Sequence, residues 1–441
     1  MFRIRFLAAS ASFFLLAGCS LGGDSAPPVS GYAVGDEPLA VKAGVDVLAD
    51  GGSAADAASA MYFMLSVTYP VAAGLGGGGL CIVHDQQSGR NEEFDFLARN
   101  AMGGGAYAVP GNVRGFATLQ AIYGRLPWAR DVAPAEAYAA TGFPVSQALA
   151  ARLASAQDAI RLDANLASEF LDESGQVKKA GAIVFNHDLS ATLSQIRQYG
   201  APGFYRGTVA QEVLAYSASQ NGAMSADEFS GYAAERTAPQ MAQVGDEMAY
   251  FPSADVGAGA FAGALINDLS GSDEENSATM VGEAVRMALD RFGVKSLPQD
   301  LGATGFAALD SSGQAVACAV TMNGPFGSGH TAQGTGVVLA RAPAADNTGL
   351  AAVFLTPVIA TDGSDGPVAL AGAGAGGPNG TASIAYALVK LARGEDMTQP
   401  GSLRSTGMAP YDTVNAITCQ SGTCAALPDP AAHGLGAAAG G

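Results

Sequence analysis

The order of helical and strand-like stretches constrains this fold more than any other feature of the sequence. Residues 39–67 carry apolar side chains at three- and four-residue spacing on both sides of Gly51-Gly52, which predicts two helices. A glycine-dense loop, Val71–Gly79, leads to a strand at Leu80–His84, a polar turn at Asp85–Arg90 and a second strand at Glu93–Leu97. Residues 110–155 and 177–232 are helix-rich, Glu247–Phe251 reads as a strand, and Gly257–Leu269 and Met280–Phe292 read as helices. Past residue 300 the pattern changes. Gly305–Leu309 and Ala315–Met322 flank the turn Asp310-Ser311-Ser312-Gly313 as a hairpin. Further strands are expected at Gly336–Leu339, Val353–Ala360 and Val368–Ala371, and a helix at Ser383–Ala392. Runs of helices followed by hairpins predict a layered α+β fold rather than a repeating βαβ array.

The 441 residues, 49% of them apolar, are ample for a large core, and length alone suggests two or three domains at roughly 150 residues each. The net charge of −18 argues against nucleic acid and anionic membrane surfaces as partners, since both recruit clusters of Lys and Arg. The same acidity also serves as a solubility trait.

The first residues carry a processing signal. Arg3 and Arg5 precede an apolar run of 12 residues, Phe6–Ala17, shorter than the ~20 that span a bilayer. The run ends in Leu16-Ala17-Gly18-Cys19, which resembles a bacterial lipobox. Residues 1–18 are therefore expected to be a lipoprotein signal peptide, with Cys19 lipidated and residues 19–30 a flexible tether. An ordinary secretory signal with a chance Cys is the other reading. Ser20 after the Cys favours the outer membrane, facing the periplasm. Cys81 and Cys318 lie in apolar strand-like runs and are expected to be buried thiols. Cys419 and Cys424 flank a short polar loop and are expected to form a disulfide in an oxidising compartment. The four histidines are scattered, so neither a metal nor a cofactor is expected. From Pro428 the chain is rich in Ala, Gly and Pro, and a tail at 417–441 is expected to be disordered.

Several separated strings resemble the γ-glutamyltranspeptidase family. They are AGVDVLADGGSAADAA at 43–58, Tyr69-Pro70 with the glycines at 74–79, the long stretch 109–146, Gly203-Phe204-Tyr205-Arg206-Gly207 with the Met-Ser-x-x-Glu-Phe pattern after it, and residues 303–328. The resemblance implies a four-layer αββα Ntn-hydrolase sandwich, with a large-subunit-like region at 31–302 and a small-subunit-like region at 303–416. It also implies self-cleavage before a Thr, whose hydroxyl and freed amine then act as nucleophile and base on γ-glutamyl substrates.

Carried over residue by residue, the resemblance places that nucleophile on Ala303, which has no attacking atom. Thr304 and Gly305 take the next two positions. Thr304 reaches the pocket only through a local bulge, because a one-residue slip turns a strand side chain to the other face. Thr321 and Asn323 hold family positions beside the nucleophile and alternate onto one strand face. Gly376-Gly377 match the oxyanion-holding pair ahead of a helix. The family's carboxylate-binding Arg is Leu97 here. Arg99, two residues on, keeps the strand face and is a candidate replacement; a solvated strand-end Arg is the other reading. Polar substrate-binding positions after Leu339 are Ala340-Arg341-Ala342-Pro343-Ala344-Ala345, with Asp346 the nearest carboxylate, and the family's Ser pair is Val353-Phe354.

Residues 372–377, GAGAGG, also satisfy a dinucleotide fingerprint with Glu395 some 20 residues on, which would need a parallel strand ending at that acid. The expectation is an exported lipoprotein, held to the membrane through its N-terminal lipid, on a degenerate transpeptidase scaffold. A γ-glutamyl or peptide-like small molecule is its expected ligand. The alternatives are an active enzyme using Thr304 after self-cleavage, and a surface scaffold with no ligand.

Overall fold

The computed structural model describes residues 29–270, 278–291, 293–343, 349–364, 366–405 and 408–440. The signal peptide, Cys19 and nearly all of the tether lie outside the described residues, as does Asp346.

Two antiparallel sheets stack face to face. The seven-stranded sheet runs in the order Leu435–Ala439, Gly31–Gly35, Ala303–Asp310, Gln314–Thr321, Gly78–Asp85, Arg90–Phe96, Glu235–Thr237. The six-stranded sheet runs Thr423–Leu427, Thr413–Gln420, Val368–Ala375, Thr356–Asp362, Glu247–Phe251, Gln240–Val244. Helices Pro38–Ala49 and Ala54–Thr68 cover the outer face of the first sheet, and Gly257–Ser270, Ala278–Arg291 and Pro378–Ala392 cover that of the second. This is the expected four-layer αββα sandwich.

Side-chain alternation explains the layering. Along Ala303–Asp310, Phe306 and Ala308 join the core under the first helical layer, while Ala303, Ala307 and Leu309 pack between the sheets. The helix pair is set by local chemistry as well as by its apolar stripe. Ser53 caps Ala54–Thr68 in a reciprocal box with Asp56, whose Oδ2 also accepts the Arg125 and Leu126 N–H groups.

Three expectations fail. Cys81 and Cys318 are directly opposed on neighbouring strands and form a disulfide, so they are not free thiols. The C-terminal segment is ordered: Thr413–Gln420 and Thr423–Leu427 form a hairpin, and Leu435–Ala439 pairs along Gly31–Gly35. Its Ala/Gly composition suits an edge strand lying over a neighbouring sheet edge, where Gly436 sits against the Ala426 carbonyl and a Cβ would come within 2.1 Å of it. The stretch expected as a strand at Val353–Ala360 begins as a short helix, Leu350–Val353, and extends only from Thr356. The dinucleotide reading also falls, because Val368–Ala375 is antiparallel to both neighbours and Glu395 ends no strand. The Cys419–Cys424 pair is disulfide-bonded across the C-terminal hairpin.

Candidate active-site region

One end of the sandwich gathers the residues singled out above. Ala303 opens its strand opposite Thr321, which in turn pairs with Gly78. The Ala303 methyl is fully buried between the sheets, in an apolar cluster with Leu80, Ala319, Leu355, Ala373 and Ala375. Leu97, at the family's Arg position, packs against the same cluster. Gly305 explains how closely the sheets approach here: a Cβ would come within 2.8 Å of the Ala373 Cβ and 3.2 Å of its carbonyl. Small residues let the two sheets approach closely at this end.

Thr304 pairs with Val320 on the strand face turned away from Ala303. It is fully buried, and its Oγ1 donates to Asp36 Oδ2 at 2.6 Å. Asp36 also accepts Asn415 Nδ2 at 2.8 Å, and the same amide donates to the Gly305 carbonyl at 3.0 Å. Burial pushes the Asp36 carboxyl above the usual range, against the lowering effect of those two donors.

Thr321 Oγ1 donates to the carbonyls of Gly302 and Leu301, at 3.0 and 3.2 Å. Gly302 O additionally accepts the Met322 N–H at 2.9 Å. The carbonyl just before Ala303 is therefore polarised by two donors. Gly302 sits at φ +60, with the Gly324 carbonyl 2.0 Å from where a Cβ would be, so glycine is required. Asn323 does not share the Thr321 strand face, contrary to expectation. The strand ends at Thr321, Asn323 turns to φ 57, and its Nδ2 donates to the Arg341 carbonyl at 2.9 Å.

Gly376 and Gly377 lie at the same end and open helix Pro378–Ala392. The Tyr411–Asp412 segment packs closely against them: a Cβ on Gly376 would meet the Tyr411 carbonyl at 1.9 Å, and one on Gly377 the Asp412 carboxylate at 2.1 Å. Asp412 is itself held by Asn379 Nδ2 at 3.0 Å, and burial raises its pKa.

Arg99 is not at this site. It lies beyond the end of Arg90–Phe96, ion-paired to Glu235 at 2.6 Å and stacked over Tyr232 at 5.0 Å, with a side chain 41% exposed. Two strands lie between that of Ala303 and Arg90–Phe96, which precedes Arg99, so the lateral separation is three strand spacings, roughly 14 Å.

The charged residue that does touch the site is Arg152. Its Nη1 donates to the Ala303 carbonyl at 2.9 Å, its other nitrogens bind the Asp300 carboxylate, and it packs against the Tyr69 and Tyr411 rings. Burial opposes its charge, but Asp300 and Tyr69 outweigh that and hold the guanidinium protonated. Asp300 Oδ1 also accepts the Gly302 N–H at 2.8 Å. The ion pair thus clamps both sides of the Gly302–Ala303 peptide. Arg152 had a sequence signal: it lies four residues after Ala148 and beside Leu153, on the buried stripe of its helix. Asp36, Asn415 and Asp412 had none, since each sits in a different segment and meets the site only in three dimensions. The cavity lined by Arg152, Tyr69, Tyr411 and Thr413 measures about 30 Å3, space for roughly one water.

Two stacked antiparallel sheets between helical layers, with a buried strand start at one end, define the N-terminal-nucleophile hydrolase class. The Gamma-glutamyltranspeptidase family model matches residues 40–292, more than half of the chain, and the chain belongs to that family. Glutathione hydrolase 2 of Arabidopsis thaliana is 37% identical over 181 residues, 38% of this chain and 31% of that protein. The chain thus spans about a third of the length of the curated relatives it matches. The cephalosporin acylase structure from Bacillus halodurans superposes with TM-score 0.76 over 99% of both chains at 18% identity, a likeness of fold alone. The γ-glutamyltranspeptidase of Helicobacter pylori matches with TM-score 0.54 and 25% identity over 58% of this chain and 82% of that one. The family match ends at residue 292, short of Ala303.

Proposed function

We propose that this chain is a degenerate γ-glutamyltranspeptidase-family protein, exported and anchored through lipid on Cys19, that keeps the fold without the acyl-transfer chemistry. The observation that carries the reading is the buried methyl of Ala303 at a strand start, the position to which the sequence resemblance carries the family's nucleophile. Acyl transfer through a side chain needs a nucleophilic atom there. Thr304 offers a hydroxyl, but it is shielded from solvent and committed to Asp36 on the other strand face. That geometry speaks against the displaced-nucleophile alternative.

A γ-glutamyl or peptide-like ligand also finds little space beside Arg152, and Tyr411 and Asp412 pack closely against Gly376-Gly377. At the Ala303 end a scaffold without a ligand is accordingly favoured over a vestigial binding pocket. Among the described residues no helix is long and apolar enough to cross a membrane, so the membrane attachment proposed here rests on the lipobox-like string at Cys19.

Intact mass of the mature protein tests the reading. The expected product is one uncut chain beginning at Cys19 with acyl groups attached and no γ-glutamyl amide turnover. A fragment whose first residue is Thr304, with turnover abolished by Thr304→Ala, would overturn it.

A further inference from the structure

The end of the sandwich away from Ala303 carries a cleft of about 770 Å3. Strand Ala303–Asp310 runs from one end to the other, so roughly 23 Å separates the two places. The cleft lies between the ends of both sheets, and its volume falls in the usual range for small-molecule sites, roughly 300–1,000 Å3. Leu309, Val368, Ala369 and Leu391 give it an apolar wall, beside the Cys419–Cys424 disulfide.

Its charged groups are of one sign. Glu247, Asp310 and Asp362 line it, and no Lys or Arg is among the described lining residues. Asp310 is already satisfied: Arg125 lies 3.1 Å away, and Ala54, Ser312 and Gln314 donate backbone N–H groups to it. Glu247 is not. Its Oε2 is shielded from solvent and has no hydrogen-bond partner among the described residues. Asp362 is beside it, since Glu247 bridges to Gly363. Burial, then Asp362 and Asp246, push the Glu247 carboxyl above its ordinary range, as expected for carboxylates lacking a counter-charge.

We propose that this cleft binds a small alkylammonium ligand, its ammonium between Glu247 and Asp362 and its hydrocarbon stem along Leu309, Val368 and Leu391. Charge complementarity supports this occupant, because an ammonium beside Glu247 and Asp362 offsets part of their like charge and donates to carboxylate oxygens. An anion meets the opposite field. The apolar wall suits an aliphatic stem, and the concave shape suits a free amine rather than a flat protein face. The site is independent of whether the Ala303 end is catalytic.

Isothermal titration of the full chain with 1,5-diaminopentane tests the proposal, with the dianion glutarate as control. Saturable binding of the diamine and none of glutarate are expected. Glu247→Gln should weaken the diamine about tenfold or more, the effect of removing a charged hydrogen-bond partner. Asp362→Asn should weaken it in the same direction, and it reports on the site even if Glu247→Gln folds poorly. Arg99→Ala, at the other end, should leave the affinity unchanged. The proposal is overturned by no saturable diamine binding, by wild-type affinity in both carboxamide variants, or by glutarate binding as tightly. Binding of a lysine-rich peptide without binding of the free diamine also overturns it, in favour of a protein partner.

Discussion

Thr304 donates its hydroxyl to Asp36 at 2.6 Å, on the strand face turned away from Ala303. The Thr304 hydroxyl, next in sequence to Ala303, therefore serves as a structural tie between strand Ala303–Asp310 and the residue after strand Gly31–Gly35. Thr304→Val should cost stability by about 1–3 kcal/mol, because a buried carboxylate loses a donor. Chemical denaturation would measure it. A loss of γ-glutamyl turnover with unchanged stability would instead point to a catalytic Thr304.

If the proposed reading holds, a hydroxyl placed at position 303 should bring about self-cleavage. The Gly302 carbonyl already accepts from Thr321 Oγ1 and the Met322 N–H, so an attacking group at 303 would face a polarised carbonyl. Ala303→Thr is expected to yield two fragments on a reducing gel, while wild type and Ala303→Val remain whole. Without reductant the fragments should run as one band, because Cys81 and Cys318 fall on opposite sides of the cut and are disulfide-linked.

Removing Arg152 should destabilise the protein more than removing any surface cation. Arg152→Met leaves Asp300 buried without its partner, and breaking a buried pair costs about 3–5 kcal/mol. The exposed Arg99–Glu235 pair should contribute less than about 1 kcal/mol. Parallel denaturation curves of Arg152→Met and Arg99→Ala give the comparison.

Asp131 should make the protein less stable as pH rises. It is fully buried in the first turns of helix Trp128–Thr141, and neither carboxyl oxygen has a hydrogen-bond partner among the described residues. Burial, then the neighbouring Asp56, push its pKa up to about 9. Between its ordinary value of 3.8 and about 9 the unfolded chain has lost the proton that the native chain keeps. The native state binds more protons across that window, so stability falls as pH rises through it. Asp131→Asn should raise stability by on the order of a few kcal/mol at pH 8, with the gain vanishing toward pH 4. Thermal melts of both proteins at the two pH values check the sign.

The element pattern was largely legible in the sequence. Periodicity found the Pro38–Ala49 and Ala54–Thr68 helix pair and the hairpin around Asp310, because both follow from local spacing and turn chemistry. The strand expected at Gly305–Leu309 begins two residues earlier, at Ala303. The misplaced residues are those whose fate depends on distant chain. The strand that was to fix the direction of Arg99 ends at Phe96, and Glu235 and Tyr232, more than 130 residues away, hold Arg99 at the surface. Asn323 obeyed alternation only as long as the strand continued, and the strand stops two residues earlier.

By itself the sequence determined that position 303 has no attacking atom, since side-chain chemistry is written in residue identity. Only the tertiary structure decided what fills the emptied place. Apolar contacts between two sheets, an Arg from one helix and the Tyr411–Asp412 segment converge there from parts of the chain far apart in sequence. Packing is a property of atoms that meet in space, and local residue patterns carry no record of those meetings.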